Sequence, residues 1–315
     1  MKAAAVVINH NGGNDLGRCL AALQTQTVPV EVVLVDCHST DASRAWVEAP
    51  PAGVRVVALQ TNRGYTGGAN AGLEAVGQEV EVVGFFNPDC FPRRDFFATC
   101  LQVFAQRPEV GGIAPRLLRE DEATLDSCGQ VLSPWVLMVR DRGFGEPAAG
   151  RYLEGERVLA ACGAGMVFRR AALAQVQVGG EVFPADFFAF WEDLDLGWRV
   201  SASGWVVCYE PQAVAIHRRG ATARAGEGRL LFRRPPPLVA GYLCNRWATL
   251  IRNLHWADAW WRLPLLVVWD TTMLAAVALR MPQALAYLPR SLGRVGRAWR
   301  VRRLWPKRRL RELLP

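Results

Sequence analysis

The chain has 315 residues, 51% of them apolar, which allows one large domain or a domain with an appendage and excludes global disorder. Its net charge of +8 is unevenly placed: from Arg229 to Pro315 there are 17 basic and 3 acidic residues, which leaves residues 1–228 at −6. An acidic front and a basic back argue for two parts with different partners, divided here as 1–228 and 229–315.

In chain order, Ala3–Asn9 (AAAVVIN) is an apolar run of strand length, as expected of a strand buried on both faces. Leu16, Cys19, Leu20 and Leu23 then repeat at helical spacing, with Asn14 available as N-cap. Glu31–Val35 is a second strand ending at Asp36, and Val54–Leu59 a third. The glycine-rich stretch Asn62–Asn70 reads as a turn leading into a helix, and Val80–Phe86 as a fourth strand that delivers Asn87-Pro88-Asp89. A helix over Asp95–Gln106 and a strand at Val110–Ala114 complete a β-α-β alternation and predict a mainly parallel α/β sheet.

Residues 116–157 lack periodicity and read as a long loop or acceptor-side insertion. Beyond them, Glu192-Asp193-Leu194-Asp195 opens a helix ending near Gly204, and Trp205–Tyr209 and Ala213–Ile216 are short strands, the second ending at His217. Eight scattered cysteines with no C-x-x-C pair predict reduced, mostly buried thiols rather than disulfides or zinc. Met1-Lys2 runs straight into the first strand, so no secretion signal is expected and the location is expected to be cytoplasmic.

The tail differs in kind. Between Arg262 and Arg280 lie 17 residues with one charge, Asp270. A bilayer takes about 20 apolar residues and a central Asp costs about 2.5–3.5 kcal/mol, so a simple transmembrane helix is disfavoured. Leu285, Leu288, Leu292, Val295 and Trp299 alternate with Arg290, Arg294, Arg297 and Arg300, the pattern of a basic amphipathic helix on a membrane surface. The competing expectation is a helix packed on the catalytic domain with a solvated basic face. Hydrophobics between the charges favour lipid over nucleic acid, and no nucleic-acid partner is expected.

Asp36, Asn87, Asp89, Glu192, Asp193 and His217 all sit at strand ends or a helix start, and strand carboxyl ends in an open α/β sheet line one crevice. Carboxylates with one imidazole and no Ser or Cys nucleophile motif suit a divalent cation, a diphosphate and a general base. Each residue also has a plainer reading. Asn-Pro-Asp is a common turn, Asp36 can cap the next turn, and acids in a first helical turn balance its dipole. By helical spacing Glu192 and Asp195 share a face and Asp193 points elsewhere. Alone, His217 reads as a satisfied core histidine; beside an acidic crevice it reads as a metal ligand.

These residues lie in motifs that resemble the inverting family 2 glycosyltransferases of GT-A fold, near the rhamnosyltransferase and galactofuranosyltransferase-like branch. The matching pieces are VVINHNGG (6–13), VDCHSTDAS (35–43), NRGYTGGANAG (62–72), FFNPDC (85–90), GAGMVFRR (163–170), FFAFWEDLDLGWRVSASGW (187–205) and AVAIH (213–217), in the family's order. The resemblance implies Asp193 as general base and Asp89 with His217 as ligands of Mg²⁺ or Mn²⁺. It implies nucleotide contacts from Asn9, Asn11, Asp36, Asn62, Gly64 and Asn87, with Asn70, Glu192, Asp195 and Arg218 in supporting roles. Cys37 and His38 stand where this branch usually has Asn and Ala, and Arg218 where a second His is frequent.

The implied reaction is a single displacement on a nucleoside-diphosphate sugar by the hydroxyl of a glycan or lipid-linked acceptor, for cell-surface polysaccharide. The leaving group would be helped by Arg218, Arg219 or Arg224, and the segment after His217 (RRGATARAGEG) has the glycine content of a lid. The enzyme would work at the inner membrane surface, peripherally attached by its tail. Two alternatives compete. A nucleotidyltransferase would carry a Gly-rich, basic loop after the first strand, where Asn9-His10-Asn11-Gly12-Gly13 stands. A decayed, membrane-bound scaffold would have lost acids that are all present.

Overall fold

In a computed structural model, which describes residues 1–219 and 231–313, the chain builds around a twisted ten-stranded sheet. Its strands are β1 (Ala3–Asn9), β2 (Val30–Asp36), β3 (Val54–Ala58), β4 (Val82–Phe86), β5 (Cys90–Pro92), β6 (Val110–Leu118), β7 (Leu125–Ser127), β10 (Glu156–Arg157), β11 (Gly165–Arg169) and β12 (Val206–His217). A separate hairpin pairs β8 (Gln130–Leu132) with β9 (Val139–Asp141). The main order is β10-β12-β6-β11-β4-β1-β2-β3, with β5 on β12 and β7 on β6. Pairs among β1, β2, β3 and β4 are parallel, as is β12 on β6; β11 runs antiparallel between β4 and β6.

The continuous apolar runs explain the centre of this sheet. Along β1, Ala4, Val6 and Ile8 join one buried cluster while Ala3, Ala5 and Val7 join another on the opposite face. Helix α1 (Asp15–Gln24) covers the second face with Leu16, Cys19, Leu20 and Leu23, although Asn14 makes no side-chain cap. Then follow α2 (Arg44–Glu48), α3 (Gly64–Ala75), α4 (Phe96–Gln106), α5 (Arg170–Val176) and α6 (Glu192–Ala202).

Three expectations need correction. The glycine-rich stretch is not a turn before a helix, because α3 starts at Gly64 and contains it. A β-carbon on Gly72 would lie 2.2 Å from Val6 Cγ1, and one on Gly68 2.7 Å from Ile8 Cγ2. These glycines let the helix approach the sheet. Residues 116–157 are not one long loop: they hold the rest of β6 and β7 to β10. The two strands expected near 206–216 are one strand, β12, with an irregularity between Glu210 and Val214 where the notch in hydrophobicity falls.

Beyond residue 230 the chain is helical: α7 (Pro236–Asn253), α8 (Trp256–Ala259), α9 (Leu263–Arg280), α10 (Leu288–Val301) and α11 (Leu310–Leu313). Helix α7 packs on α6, with Ala248 and Leu250 in one buried cluster with Leu194 and Trp198. Buried Asp195 accepts from Arg199, Arg252 and Asn253, each at 2.9 Å, so α7 neutralises a charge inside α6. Helix α10 packs on α7 through Ser291 and Ala298, while Leu285 before it and Leu292 and Trp299 on it are exposed. All eight cysteines are free, seven of them buried.

Candidate active site

The carboxyl ends of β1 and β4, the end of β12, the start of α6 and the β8–β9 hairpin surround one cavity of about 680 Å³, a size common for ligand sites. Asn11, Asn62, Gly64, Asn87, Asp89, Glu192, Asp193 and His217 all line it. Asn9, Asp36, Asn70, Asp195 and Arg218 do not.

Strand pairing assembles its acidic end. After β4 the chain turns at Asn87-Pro88-Asp89, closed by the Cys90 amide donating to the Asn87 carbonyl at 3.1 Å. Strand β5 then pairs antiparallel with the end of β12, placing His217 opposite Cys90 and beside Asp89. His217 Nε2 lies 3.4 Å from Asp89 Oδ1, and Nδ1 lies 2.8 Å from Asp126 Oδ2 on β7. Burial opposes a charged imidazole, but hydrogen bonds to Asp126 and Asp89 outweigh it and push its pKa up to about 9. Asp89 and Asp126 are likewise penalised by burial, yet His217 holds both carboxyls below their usual range. Asp126 also pairs with Arg219, which reaches Asp141 at 2.8 Å.

Asp126 is a residue that sequence reasoning missed. It lies in a three-residue strand whose apolar pattern is too short to register, and only pairing with β6 brings it under His217. Gln130 and Asp141 were missed for the same reason, whereas Arg219 was among the expected helpers of the leaving group and does line the cavity. Gln130 and Asp141 face each other across the β8–β9 hairpin.

The α6 end carries two carboxylates in different settings. Asp193 Oδ2 accepts from the Gly163 amide at 2.9 Å and Gln130 Nε2 at 2.8 Å; Oδ1 accepts from the Leu194 amide at 2.8 Å. Burial raises its pKa, and these donors restrain the rise. Glu192 is more deeply buried, and burial together with the Asp193 charge pushes it well above the ordinary range. Its Oε2 has no partner among the described residues, nor do Gln130 Oε1, Asp141 Oδ1 and Trp191 Nε1. Unlike the helical-spacing expectation, Glu192 and Asp193 share the cavity while Asp195 turns into the core. The first turn follows a left-handed Trp191 (φ 72°), so its side chains fan out around the helix start.

The preceding loop is held in an unusual shape. Phe188, Phe190 and Trp191 all have positive φ, and Asn245 Nδ2 on α7 lies within hydrogen-bond distance of the carbonyls of Phe187, Ala189 and Phe190. Gly64 (φ +67°) makes room opposite: a β-carbon there would stand 2.3 Å from the Phe188 carbonyl.

The remaining expected residues have other surroundings. Asp36 accepts from Asn9 Nδ2 at 2.9 Å and from the Ser39 amide at 3.1 Å, so this pair braces the turn behind the cavity wall. Asn11 Oδ1 takes the Thr40 amide, Asn62 Oδ1 caps Gly64, and Asn70 ties α3 to Val182 and Phe183. Arg218 is exposed on Asp15 and Glu120, and it is Arg219 that reaches the cavity. Arg224 and most of the expected lid lie outside the described residues.

A divalent cation fits this site through substrate. Among the described residues no group of three or more His, Cys, Asp or Glu side chains is set to hold one unaided. Asp89 and His217 Nε2 nevertheless supply an oxygen and a nitrogen side by side. A magnesium-type ion commonly takes one or two carboxylates and completes its shell with phosphate and water.

Residues 4–176 match the model of glycosyl transferase family 2, more than half of the chain. This protein is a family 2 glycosyltransferase. The glycosyltransferase is similar to the N-acetylglucosaminyl-diphospho-decaprenol L-rhamnosyltransferase of Mycobacterium tuberculosis, 27% identical over 290 residues covering 82% of this chain and 86% of that one. It also resembles the mannosyltransferase PcManGT from Pyrobaculum calidifontis, solved with GDP-Man and Mn²⁺ (20% identity, TM-score 0.55, 95% of this chain and 86% of that one). GalNAc-T7, solved with UDP, GalNAc and Mn²⁺, aligns at 12% identity and TM-score 0.60 over 81% of this chain, which spans about half (48%) of that protein. These likenesses establish the GT-A fold of the glycosyltransferase, and its membership of the family disfavours the nucleotidyltransferase and scaffold readings.

Proposed function

We propose that the glycosyltransferase moves a hexose, rhamnose-like in the first instance, from a nucleoside-diphosphate sugar to a hydroxyl of a lipid-linked glycan, with inversion. One observation carries the reading: a hydrogen-bonded carboxylate, Asp193, faces the same cavity as the Asp89–His217 pair. Asp193 takes the acceptor hydroxyl proton at Oδ1 or Oδ2, while burial and the neighbouring Asp193 charge oppose the ionisation of Glu192. Cys162 also lines the cavity, but burial drives its thiol pKa well up, so it is no thiolate nucleophile. Without a covalent step the anomeric carbon is attacked once, which inverts it.

Asp89 and His217 would hold Mg²⁺ or Mn²⁺, which supplies charge neutralisation to the departing diphosphate when bound. Asp126 fixes the His217 ring so that Nε2 presents its lone pair once deprotonated. Asn11, Asn62, Gly64 and Asn87 line the nucleotide side, braced by Asn9 and Asp36.

The lipid-linked acceptor is supported by the mycobacterial relative's named substrate and by the tail. Helix α9 is 18 residues long, apolar enough to cross a membrane by length and composition, and mostly uncovered. Its one acidic residue, Asp270, is turned onto buried Arg246 of α7 at 2.8 Å, while Leu263, Val267, Val268 and Leu279 face outward. With exposed Trp256, Trp260 and Trp299 among arginines, this suits a helix lying in the interface of an anionic bilayer. On this reading the enzyme acts at the cytoplasmic face of the membrane, peripherally bound.

The test is a thermal-shift screen of nucleoside-diphosphate sugars with Mn²⁺ or Mg²⁺. Metal-dependent stabilisation by one of them is expected; no response to any would contradict the reading.

A further inference from the structure

The cations around the cavity are not equivalent. His217 lies between Asp89 and Asp126, and Arg219 between Asp126 and Asp141. Arg234 also lines the cavity, half-buried, and among the described residues no carboxylate pairs with it. Its guanidinium lies over the Phe190 ring, 5.3 Å from the centroid, and Phe190 meets Tyr242 edge-on at 5.9 Å. Burial without a counter-charge lowers its pKa, so an anion there would relieve a standing cost.

The position identifies the anion. Phe190 belongs to the loop that leads into Glu192 and Asp193, where the proposed base meets the acceptor. Tyr242 looks two ways: it touches Trp191 at the cavity, and it packs against the buried cluster that holds Val277 of α9, as Met273 and Leu274 do. Phe232, two residues before Arg234, joins the same cluster and carries Arg280 over its ring at 5.3 Å. The aromatic wall is thus continuous from the proposed base to the apolar helix, and Arg234 stands along it.

We propose that Arg234, set against Phe190 and Tyr242, is a subsite for the phosphate groups that join the acceptor glycan to its lipid. This rests on the lipid-linked acceptor reading above. The lipid chain runs along α9, the phosphate charge rests on Arg234, and the glycan hydroxyl reaches Asp193. An anionic phosphate could also come from the donor or from a bilayer headgroup, so the test separates the three.

Full-length wild type and Arg234→Gln are titrated calorimetrically with farnesyl diphosphate and with farnesol, both in a saturating mixture of UDP, GDP and dTDP with Mn²⁺. The expected result is an affinity for farnesyl diphosphate about tenfold or more weaker in Arg234→Gln. Farnesol should bind both proteins alike, and Arg234→Lys should recover part of the loss. Equal farnesyl diphosphate affinity would overturn the subsite. Weaker binding of the nucleotides themselves would assign Arg234 to the donor, and weaker binding to phosphatidylglycerol vesicles would assign it to a headgroup; both overturn the proposal. Arg234-dependent diphosphate binding by a wild type that transfers no sugar would support the subsite and refute the acceptor reaction instead.

Discussion

His217 and Asp126, 91 residues apart in the chain, are joined by a 2.8 Å hydrogen bond from Nδ1 to Oδ2. The bond decides which imidazole nitrogen faces Asp89, and so makes Asp126 a positioning residue for the proposed cation site. Partners of this kind typically contribute 10–100-fold to metal affinity. Asp126→Asn should therefore raise the Mn²⁺ concentration needed for half-maximal nucleotide binding by about that factor, with metal-free nucleotide binding unchanged. An unaltered Mn²⁺ requirement would remove Asp126 from that role.

Gly64 faces two constraints at once, a φ of +67° and the Phe188 carbonyl 2.3 Å from any β-carbon. Gly53 (φ +80°) has the first alone, since nothing lies within 4 Å. Gly53→Ala should cost only backbone strain, about 1 kcal/mol. Gly64→Ala should cost clearly more in urea unfolding and should also slow transfer, because Phe188–Trp191 must shift. Equal costs would show that the loop yields freely.

Much of this was legible and some was not, for physical reasons. The run Ala3–Asn9 was readable because both faces of β1 are buried, which leaves no polar residue before Asn9 to blur it. That Asp89, Asp193 and His217 would line one cavity was readable because Asp89 and His217 follow apolar strand runs and Asp193 opens a helix. Asp126 was not, because its strand has three residues and its meaning comes from a partner 91 positions away. The outward apolar side of α10 was visible as a pattern, but not that Arg294 and Arg297 of its basic side bond inward to Asn245 and Asp186. The role of Asp195 was hidden because Arg252 and Asn253 reach it from a helix that reads as part of the tail.

That Asp195 cluster predicts a pH dependence. Burial opposes its charge, but Arg252 and then Arg199 overcome it, so the folded pKa lies below the ordinary 3.8. Its stabilising contribution is then complete above the unfolded value near 4 and fades as pH falls through the lower folded value. Asp195→Asn should lose about 3–5 kcal/mol at pH 7, because Arg252 and Arg199 are left buried without their charge partner. The gap between variant and wild type should narrow as acid protonates Asp195. A gap that is constant from pH 7 to the acid transition would contradict the assignment.

The membrane reading is best tested by point changes. Deleting everything from Arg229 would also strip Asp195 of Arg252 and Asn253. Leu292 and Trp299 are exposed on α10, and burying such a side chain in lipid is worth about 1.5–3 kcal/mol. Leu292→Ser with Trp299→Ser should weaken sedimentation with anionic vesicles by tenfold or more while nucleotide binding stays intact. Unchanged vesicle binding would rule out α10 as the contact.

The central claim is that Asp193 acts as the base in a cavity whose other end holds the donor. The most direct measurement compares Asp193→Asn with wild type in two assays on the same preparation, steady-state sugar transfer and calorimetric binding of the nucleoside diphosphate with Mn²⁺. The amide keeps the shape and an acceptor for the Gly163 amide but cannot take a proton. The account predicts transfer reduced by 10²-fold or more with nucleotide affinity within a factor of two or so of wild type. Near-normal turnover, or a nucleotide affinity that falls in step with turnover, would contradict it.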